Sequence, residues 1–181
     1  RETIRWINSM DEGDLFVDIG ANVGTYTIFA AAKQLKVIAI EPESSNYSAL
    51  NRNIKINYLD RQITAYCLGM SDKTGPDELN IHNEGLGQSC HNVGEDLSPT
   101  GVPMLYPVDR RARRQGIMAY KLDDLLASLG HPTPTHIKID VDGIEHKVVA
   151  GMLEALDHPA LKSVLIELNS KHSDHPGIYE T

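Results

Sequence analysis

The sequence predicts an α/β fold: a doubly wound, mainly parallel sheet with helices on both faces. Short apolar runs rich in β-branched residues recur along the chain, as expected for strands that are buried on both faces. Segments with helical spacing separate these runs, and strands that alternate with helices favour a parallel sheet with right-handed crossovers. The predicted strands are Leu15–Ile19, Lys36–Ile40, Ile63–Leu68, His136–Ile139 and Ser163–Leu168.

The predicted helices are indicated by capping residues, by apolar residues at helical spacing, or by residues that end a helix. Gly24–Gln34 is alanine-rich after its first turn, and Ser44 is placed to cap the helix that follows the second strand. Gly130 and Pro132 end a later helix. The apolar stripes of three helices are Tyr47, Leu50 and Ile54; Leu122, Leu125, Leu126 and Leu129; and Ile144, Val148 and Met152.

The alternation of strands and helices breaks at residues 71–119, where glycine and proline are frequent and only Leu79–His82 resembles a strand. We interpret this stretch as a loop-rich insertion that lies across one edge of the sheet and has room for a hairpin. The whole chain, residues 1–181, is predicted to form a single domain. Insertions of this length are often functional, so substrate recognition is favoured over a disordered surface loop. Its basic cluster, Arg110–Arg114, is interpreted as a solvated face, with contact to an anionic substrate or lipid headgroup as the alternative.

Composition excludes several function classes. The net charge of −8 over 181 residues argues against binding of nucleic acid, and no apolar run is long enough to span a membrane. The start carries no signal-peptide pattern, and the two cysteines, Cys67 and Cys90, are too few for a disulfide framework, so we expect a cytoplasmic protein. We expect Cys67 to pack in the core. The chain begins with Arg1, as expected for a piece of a longer protein, and nothing in the sequence indicates an oligomeric state.

The corner after the first predicted strand, in the stretch DLFVDIGANVGTYT, is the expected ligand site of such a sheet. Asn22 occupies the position of the second glycine in the dinucleotide fingerprint, and no P-loop lysine follows. Asp18 would repel a pyrophosphate and attract a cationic ammonium. The alternative is that Asp18 only caps the amides of the loop.

A second carboxylate completes this prediction. Glu41 ends the second predicted strand, and Pro42 prevents the strand from continuing. An acidic side chain at this place can accept both hydroxyls of a ribose. The ligand should therefore carry a ribose and an ammonium without a pyrophosphate, and S-adenosylmethionine fits that description.

Five segments carry a resemblance to a known family. VDIGANVGTYT, AIEPES, YKLDDLL, IKIDVDGIEHKVVAGM and LIEL resemble, in order, the signature segments of the FkbM-type S-adenosylmethionine-dependent methyltransferases. The resemblance implies a class I, Rossmann-like methyltransferase fold and O-methylation of a small-molecule, sugar or natural-product hydroxyl. The chain departs from the family pattern in two ways. Asp142 replaces a glutamate, and too few residues follow the fifth strand to form the antiparallel strands that end the sheet in this family.

The resemblance also implies the cofactor-binding residues. They are Asp18, Gly20, Ala21, Asn22 and Gly24 around the methionine end, Thr27 at the helix start, Glu41 at the ribose, Ser71 and Asp72 beside the adenine, and Asp140 facing the donor methyl group.

The segment KIDVDGIEH supplies the candidates for catalysis. Asp140 is the first choice as general base, since Lys138 points the same way along the strand and can hold it ionised. Glu145 and His146 are the other candidates, against structural interpretations in which the helix dipole favours the acid and the histidine lies on the surface. A divalent metal is not expected. The alternative is a magnesium or calcium site at Asp140, Asp142, Glu167 and Asn169.

Three function classes remain open. The favoured one is an S-adenosylmethionine-dependent O-methyltransferase. The second is a different nucleotide-using Rossmann-like enzyme, such as a short dehydrogenase. The sequence lacks the glycine fingerprint and the Tyr-x-x-x-Lys pair of such enzymes. A non-catalytic S-adenosylmethionine-binding protein would share most of the same residues.

Overall fold

A computed structural model describes residues 2–81, 87, 91–94 and 113–168. None of the helices in these ranges is long and apolar enough to cross a membrane. The elements in chain order are α1 (Glu2–Asn8), β1 (Leu15–Ile19), α2 (Thr25–Ala32), β2 (Lys36–Ile40), α3 (Ser44–Ile56), β3 (Ile63–Tyr66), β4 (Gly69–Met70), β5 (Gly75–Ile81), β6 (His91–Val93), β7 (Arg113–Tyr120), α4 (Leu122–Leu129), β8 (His136–Ile139), α5 (Glu145–Ala150), α6 (Leu153–Asp157) and β9 (Ser163–Ile166).

The main sheet has five parallel strands in the order β3-β2-β1-β8-β9, which confirms the predicted α/β class. The strand order reverses between β2 and β8, on either side of β1. Ligands of such sheets bind outside the carboxyl ends of the strands at this reversal. The fold therefore places the ends of β1, β2 and β8 at one ligand-binding edge.

Apolar side chains on both faces of the sheet form its two cores. Along β1, Val17 and Ile19 face α4 and α5, whereas Phe16 faces the other side with α2 and α3. Successive strand side chains point to opposite faces, so a run that is apolar throughout can fill both layers. Asp18 shares the side of Phe16 and is fully buried there, which requires partners for its charge.

A side-chain network closes the opposite, amino-terminal edge of the sheet. Trp6 Nε1 donates to Ser163 Oγ at 2.9 Å, and the same oxygen lies 2.8 Å from His136 Nδ1. His136 Nε2 lies 3.0 Å from Asp14 Oδ2, which Lys162 Nζ also contacts at 3.0 Å. Burial disfavours the ionised form of Asp14, but the hydrogen bonds with His136 and Lys162 outweigh burial and hold the pKa of Asp14 below its usual value.

The described part of the insertion and β4, just before it, form a second sheet in the order β4-β7-β5-β6. The expected hairpin corresponds to β5 and β6, which pair antiparallel. The sequence did not predict β7, which pairs antiparallel with the whole of β5 and carries Arg113 and Arg114. Arg114 contacts Glu78 at 3.2 Å, while residues 110–112 of the basic cluster lie outside the described residues.

Two local predictions are wrong. Glu43, not Ser44, is the N-cap of α3, because its carboxylate accepts hydrogen bonds from the Ser45 and Asn46 amides. Cys67 is exposed rather than in the core, since it follows the end of β3 and its Sγ lies 3.7 Å from the Pro42 carbonyl oxygen. Cys90 lies outside the described residues.

Candidate active site

A cleft of about 280 Å³ opens at the carboxyl ends of β1, β2 and β8. Four acidic side chains line it: Glu41, Asp140, Asp142 and Glu167. The backbone of Gly20 and the side chains of Asn22 and Asn46 form further parts of the wall, and Met70 and Val93 bring apolar surface from the second sheet. The predicted ligand corner is thus a real concavity with convergent polar groups, which is the usual character of a small-molecule site.

Gly20 brings the backbones of β1 and β8 together at the floor of this cleft. Its φ is +78°, in the left-handed region that glycine adopts without strain. A Cβ built on Gly20 would lie 1.9 Å from the carbonyl oxygen of Asp140. The glycine is therefore required by this close approach, and the approach sets the distance between the loop and Asp140.

Glu41 is oriented by backbone amides on both sides. The Asn22 amide donates to Oε2 at 2.8 Å and the Glu43 amide donates to Oε1 at 2.9 Å. Burial raises the pKa of Glu41 to about 7, and the nearby charge of Glu43 adds to this, although the hydrogen bonds oppose it. Each carboxylate oxygen has a second lone pair, so the oriented group retains acceptor capacity toward the cleft.

Asn46 is a cleft residue that the sequence reasoning missed. It is the third residue of α3, its side chain is buried, and it forms a hydrogen bond with the Glu41 carboxylate. Its Oδ1 accepts a hydrogen bond from the Gly87 amide at 2.9 Å. An asparagine in the first turn of a helix, five residues after a candidate ribose acceptor, was the available signal.

Lys138 is the buried cation of the site. Its side chain is 1 % exposed, and its Nζ lies 2.8 Å from Asp140 Oδ2 and 3.5 Å from Asp18 Oδ1. Burial alone would lower the pKa of Lys138, but the charges of Asp18 and Asp140 outweigh it and hold the pKa above its usual value. The predicted pairing of Lys138 with Asp140 is confirmed.

Asp18 is held by other side chains of the protein. Asp18 lies beneath the cleft, outside its lining, with Thr27 Oγ1 donating to Oδ2 at 2.6 Å. Lys138 already supplies a cation to this carboxylate. The geometry therefore favours a role for Asp18 in fixing α2 and Lys138, and its direct contact with a ligand stays a prediction.

Asp140 and Glu167 form an acidic pair at the ends of neighbouring strands. The negative charge of Asp140 and then burial raise the pKa of Glu167, with Lys138 opposing them, and the two carboxyls are hydrogen bonded. The side chain of Asp140 is 38 % exposed, so it is accessible from the cleft. Among the described residues, no three His, Cys, Asp or Glu side chains are arranged to hold a metal ion. Asn169 lies outside these residues.

Several other predicted site residues do not line the cleft. Ser71 is buried and its Oγ donates to Asp72 at 3.1 Å. A Cβ on Gly24 would meet Leu50 Cδ1 at 2.5 Å, so this glycine makes room for α3. Glu145 is buried at the start of α5 and accepts a hydrogen bond from the Gly143 amide at 3.3 Å. The predicted residues outside the lining are Asp18, Ala21, Gly24, Thr27, Ser71, Asp72, Glu145 and His146.

A match to a protein-family model identifies the family of this chain. The model described as the methyltransferase FkbM domain matches residues 18–181 of this chain. The chain belongs to the FkbM methyltransferase family. The resemblance carried by the five sequence segments is thereby confirmed.

Named relatives agree with the FkbM assignment. The chain is 26 % identical over 167 residues to the hexuronic acid methyltransferase AglP of Haloferax volcanii, covering 91 % of this chain and 59 % of that protein. It is 31 % identical over 168 residues to the methyltransferase sdnD of Sordaria araneosa, covering 82 % of this chain and 64 % of that protein. The chain thus spans about three fifths of the length of these two relatives.

A solved structure shares the fold of this FkbM-family chain. The precorrin-6y C5,15-methyltransferase of Geobacter metallireducens aligns with a TM-score of 0.51 at 15 % identity, covering 99 % of this chain and 65 % of that chain. At this identity the likeness shows the fold alone. It confirms the predicted class I methyltransferase type of α/β fold.

Proposed function

We propose that this chain is the catalytic domain of an S-adenosylmethionine-dependent O-methyltransferase that acts on a hydroxyl of a small molecule, sugar or natural product. The observation that carries the proposal is that one cleft holds both an oriented acidic acceptor, Glu41, and an exposed carboxylate, Asp140. Family membership and the printed names of the relatives, which include a hexuronic acid methyltransferase and 31-O-demethyl-FK506 methyltransferase, support it.

The residues of the cleft fit S-adenosylmethionine. Glu41 would accept the ribose hydroxyls, with Asn22 and the Gly20 backbone along the rest of the cofactor. The acidic lining suits a ligand that carries a sulfonium and an ammonium, since four carboxyls face the cleft. S-adenosylmethionine supplies the activated methyl group when it is bound.

Asp140 would act on the acceptor. Lys138 Nζ lies 2.8 Å from Asp140 Oδ2 and orients this carboxyl group, whose oxygens can also accept a hydrogen bond from the acceptor hydroxyl. Asp140 would then orient the hydroxyl and take its proton as the new oxygen–carbon bond forms and the bond between the methyl carbon and the cofactor sulfur breaks, which would leave S-adenosylhomocysteine. The insertion would supply the acceptor side, since its residue Val93 already lines the cleft and Gly87 contacts Asn46.

Calorimetry tests the cofactor. We expect binding of S-adenosylmethionine and of S-adenosylhomocysteine, and hardly any binding of NAD. Glu41→Ala should weaken S-adenosylmethionine binding by roughly 1–3 kcal/mol, the worth of hydrogen bonds to a charged group. NAD binding as tight as that of S-adenosylmethionine, or an unchanged affinity of the Glu41 variant, would contradict the assignment.

Release of S-adenosylhomocysteine separates an enzyme from a non-catalytic binder. Hydroxylated sugars and natural products, offered as acceptors together with S-adenosylmethionine, should give acceptor-dependent release of S-adenosylhomocysteine, detected by mass spectrometry. Tight cofactor binding without release for any hydroxylated acceptor would instead favour a cofactor-binding protein.

A further inference from the structure

Asn46 joins the predicted ribose acceptor to the insertion. Its side chain is 1 % exposed and lies on the cleft wall, at the third position of α3. The Gly87 amide of the insertion donates to Oδ1 at 2.9 Å, and a second hydrogen bond connects the same side chain to the Glu41 carboxylate. One buried amide thus contacts both the cofactor side and the acceptor side of the cleft.

We propose that Asn46 is a positioning residue for cofactor binding, whose side-chain amide orients the Glu41 carboxylate toward the ribose and couples Glu41 to Gly87 of the insertion. This inference rests on the proposed function, because it takes Glu41 as the ribose acceptor. Asn46 acts through Glu41 and the insertion rather than on the reacting atoms.

The two hydrogen bonds fix which way the amide points. Gly87 N–H requires an acceptor, so Oδ1 faces the insertion, and the Nδ2 group then faces Glu41 and donates to it. A carboxylate cannot replace this group without loss, since it has no proton to donate to Glu41. Asparagine is therefore the residue type that satisfies both neighbours at once.

The charged surroundings of Glu41 make this donor important. Burial raises the pKa of Glu41 most, and the charge of Glu43, between β2 and α3, raises it further. The same Glu41 carboxylate also raises the pKa of the Cys67 thiol after β3, where burial is the larger cause. The Asn46 amide works in the opposite direction, together with the backbone amides of Asn22 and Glu43. Removing the donor should therefore shift the titration of Glu41 to higher pH.

Two variants separate the two hydrogen bonds. Asn46→Asp keeps an acceptor for Gly87 and loses the donor to Glu41, whereas Asn46→Ala loses both. Gln115→Ala is the matched control, because Gln115 ties β7 to the same loop through Pro42 O at 2.7 Å and the Ser44 amide at 3.1 Å. Gln115 attaches the insertion without contacting Glu41.

Two measurements test the proposal. The side-chain carbon of Glu41 is titrated by NMR in the ligand-free protein, and S-adenosylmethionine affinity is measured by calorimetry from pH 5.5 to 9. We expect both Asn46 variants to raise the Glu41 midpoint by about half a pH unit or more and to weaken affinity at pH 7 roughly tenfold, as for loss of a hydrogen bond to a charged group. Gln115→Ala should leave the midpoint at its wild-type value.

An unshifted Glu41 midpoint in both Asn46 variants would overturn the inference, as would an equal shift in Gln115→Ala. A uniform loss of affinity at every pH would assign Asn46 to folding alone and overturn it too. Failure of the wild type to bind S-adenosylmethionine would refute the proposed function separately, since the titration of Glu41 needs no ligand.

Discussion

Substitution of Gly20 by alanine tests whether the contact between β1 and β8 sets the shape of the site. The added Cβ would lie 1.9 Å from the Asp140 carbonyl oxygen, and the neighbouring carbonyl carbon is 2.9 Å away. Both atoms belong to the backbone, so no flexible side chain can move aside. The strand ends must separate by roughly 1 Å, and displacement of this size at reacting groups costs about 10²-fold in rate.

The expected loss of stability has two parts. Holding alanine at a φ of +78° costs about 1–2 kcal/mol, and overpacking a close-packed contact costs roughly 1–3 kcal/mol more. Urea unfolding should therefore show Gly20→Ala destabilised by about 2–5 kcal/mol. S-adenosylmethionine affinity should fall because the displaced Gly20 backbone lines the cleft, and kcat/KM should fall because Asp140 moves with its carbonyl.

Gly13 supplies the matched control. Its φ is +86°, and a Cβ built there meets nothing within 4 Å. Gly13→Ala therefore carries the backbone strain without the collision, and it should lose only about 1–2 kcal/mol of stability and keep its cofactor affinity. Equal destabilisation of the two variants, with unchanged affinity in Gly20→Ala, would refute the argument from close approach.

Three further predictions follow from charged groups. Asp140→Asn should lower kcat by about 10²-fold or more with little change in cofactor affinity, and near-normal kcat would place the base elsewhere. Turnover should persist in the presence of a chelator; activity that is lost and then restored by magnesium would instead identify metal ligands. The pKa of Glu41 is raised from 4.5 to about 7, so the native state holds a proton that the unfolded state lacks between these values. Stability should fall as pH rises through this window, by up to about 1.4 kcal/mol per pH unit, and urea unfolding of Glu41→Ala at pH 5 to 8 should lack this decline.

The parts of the fold set by local pattern were predictable from sequence. The five apolar runs became the five strands of the main sheet, although the predicted third and fifth strands each extend two residues beyond β3 and β9. The second sheet was not predicted beyond a possible hairpin. Its strand β7 alternates between exposed and half-buried residues over much of its length, so its pairing with β5 depends on contacts distant in sequence.

The candidate site was predicted in outline but not in its internal contacts. Glu41 and Asp140 follow strands whose ends must meet, so their presence at one cleft could be inferred from topology. The burial of Asp18 could not, because it depends on Lys138 standing directly opposite it in the register of β1 and β8. Asn46 was missed for the same reason, since its two partners come from separate segments of the chain.

The network of Trp6, Ser163, His136 and Asp14 closes the amino-terminal edge of the sheet, away from the cleft. Together with Lys162, the polar groups of this network are partnered within the protein, and none of these residues lines the cleft. Directed evolution can exploit that separation. Under the proposed function, libraries that randomise Asp142 and Glu167 at the cleft would leave this network untouched, so a search for a changed acceptor preference would not require a redesigned scaffold.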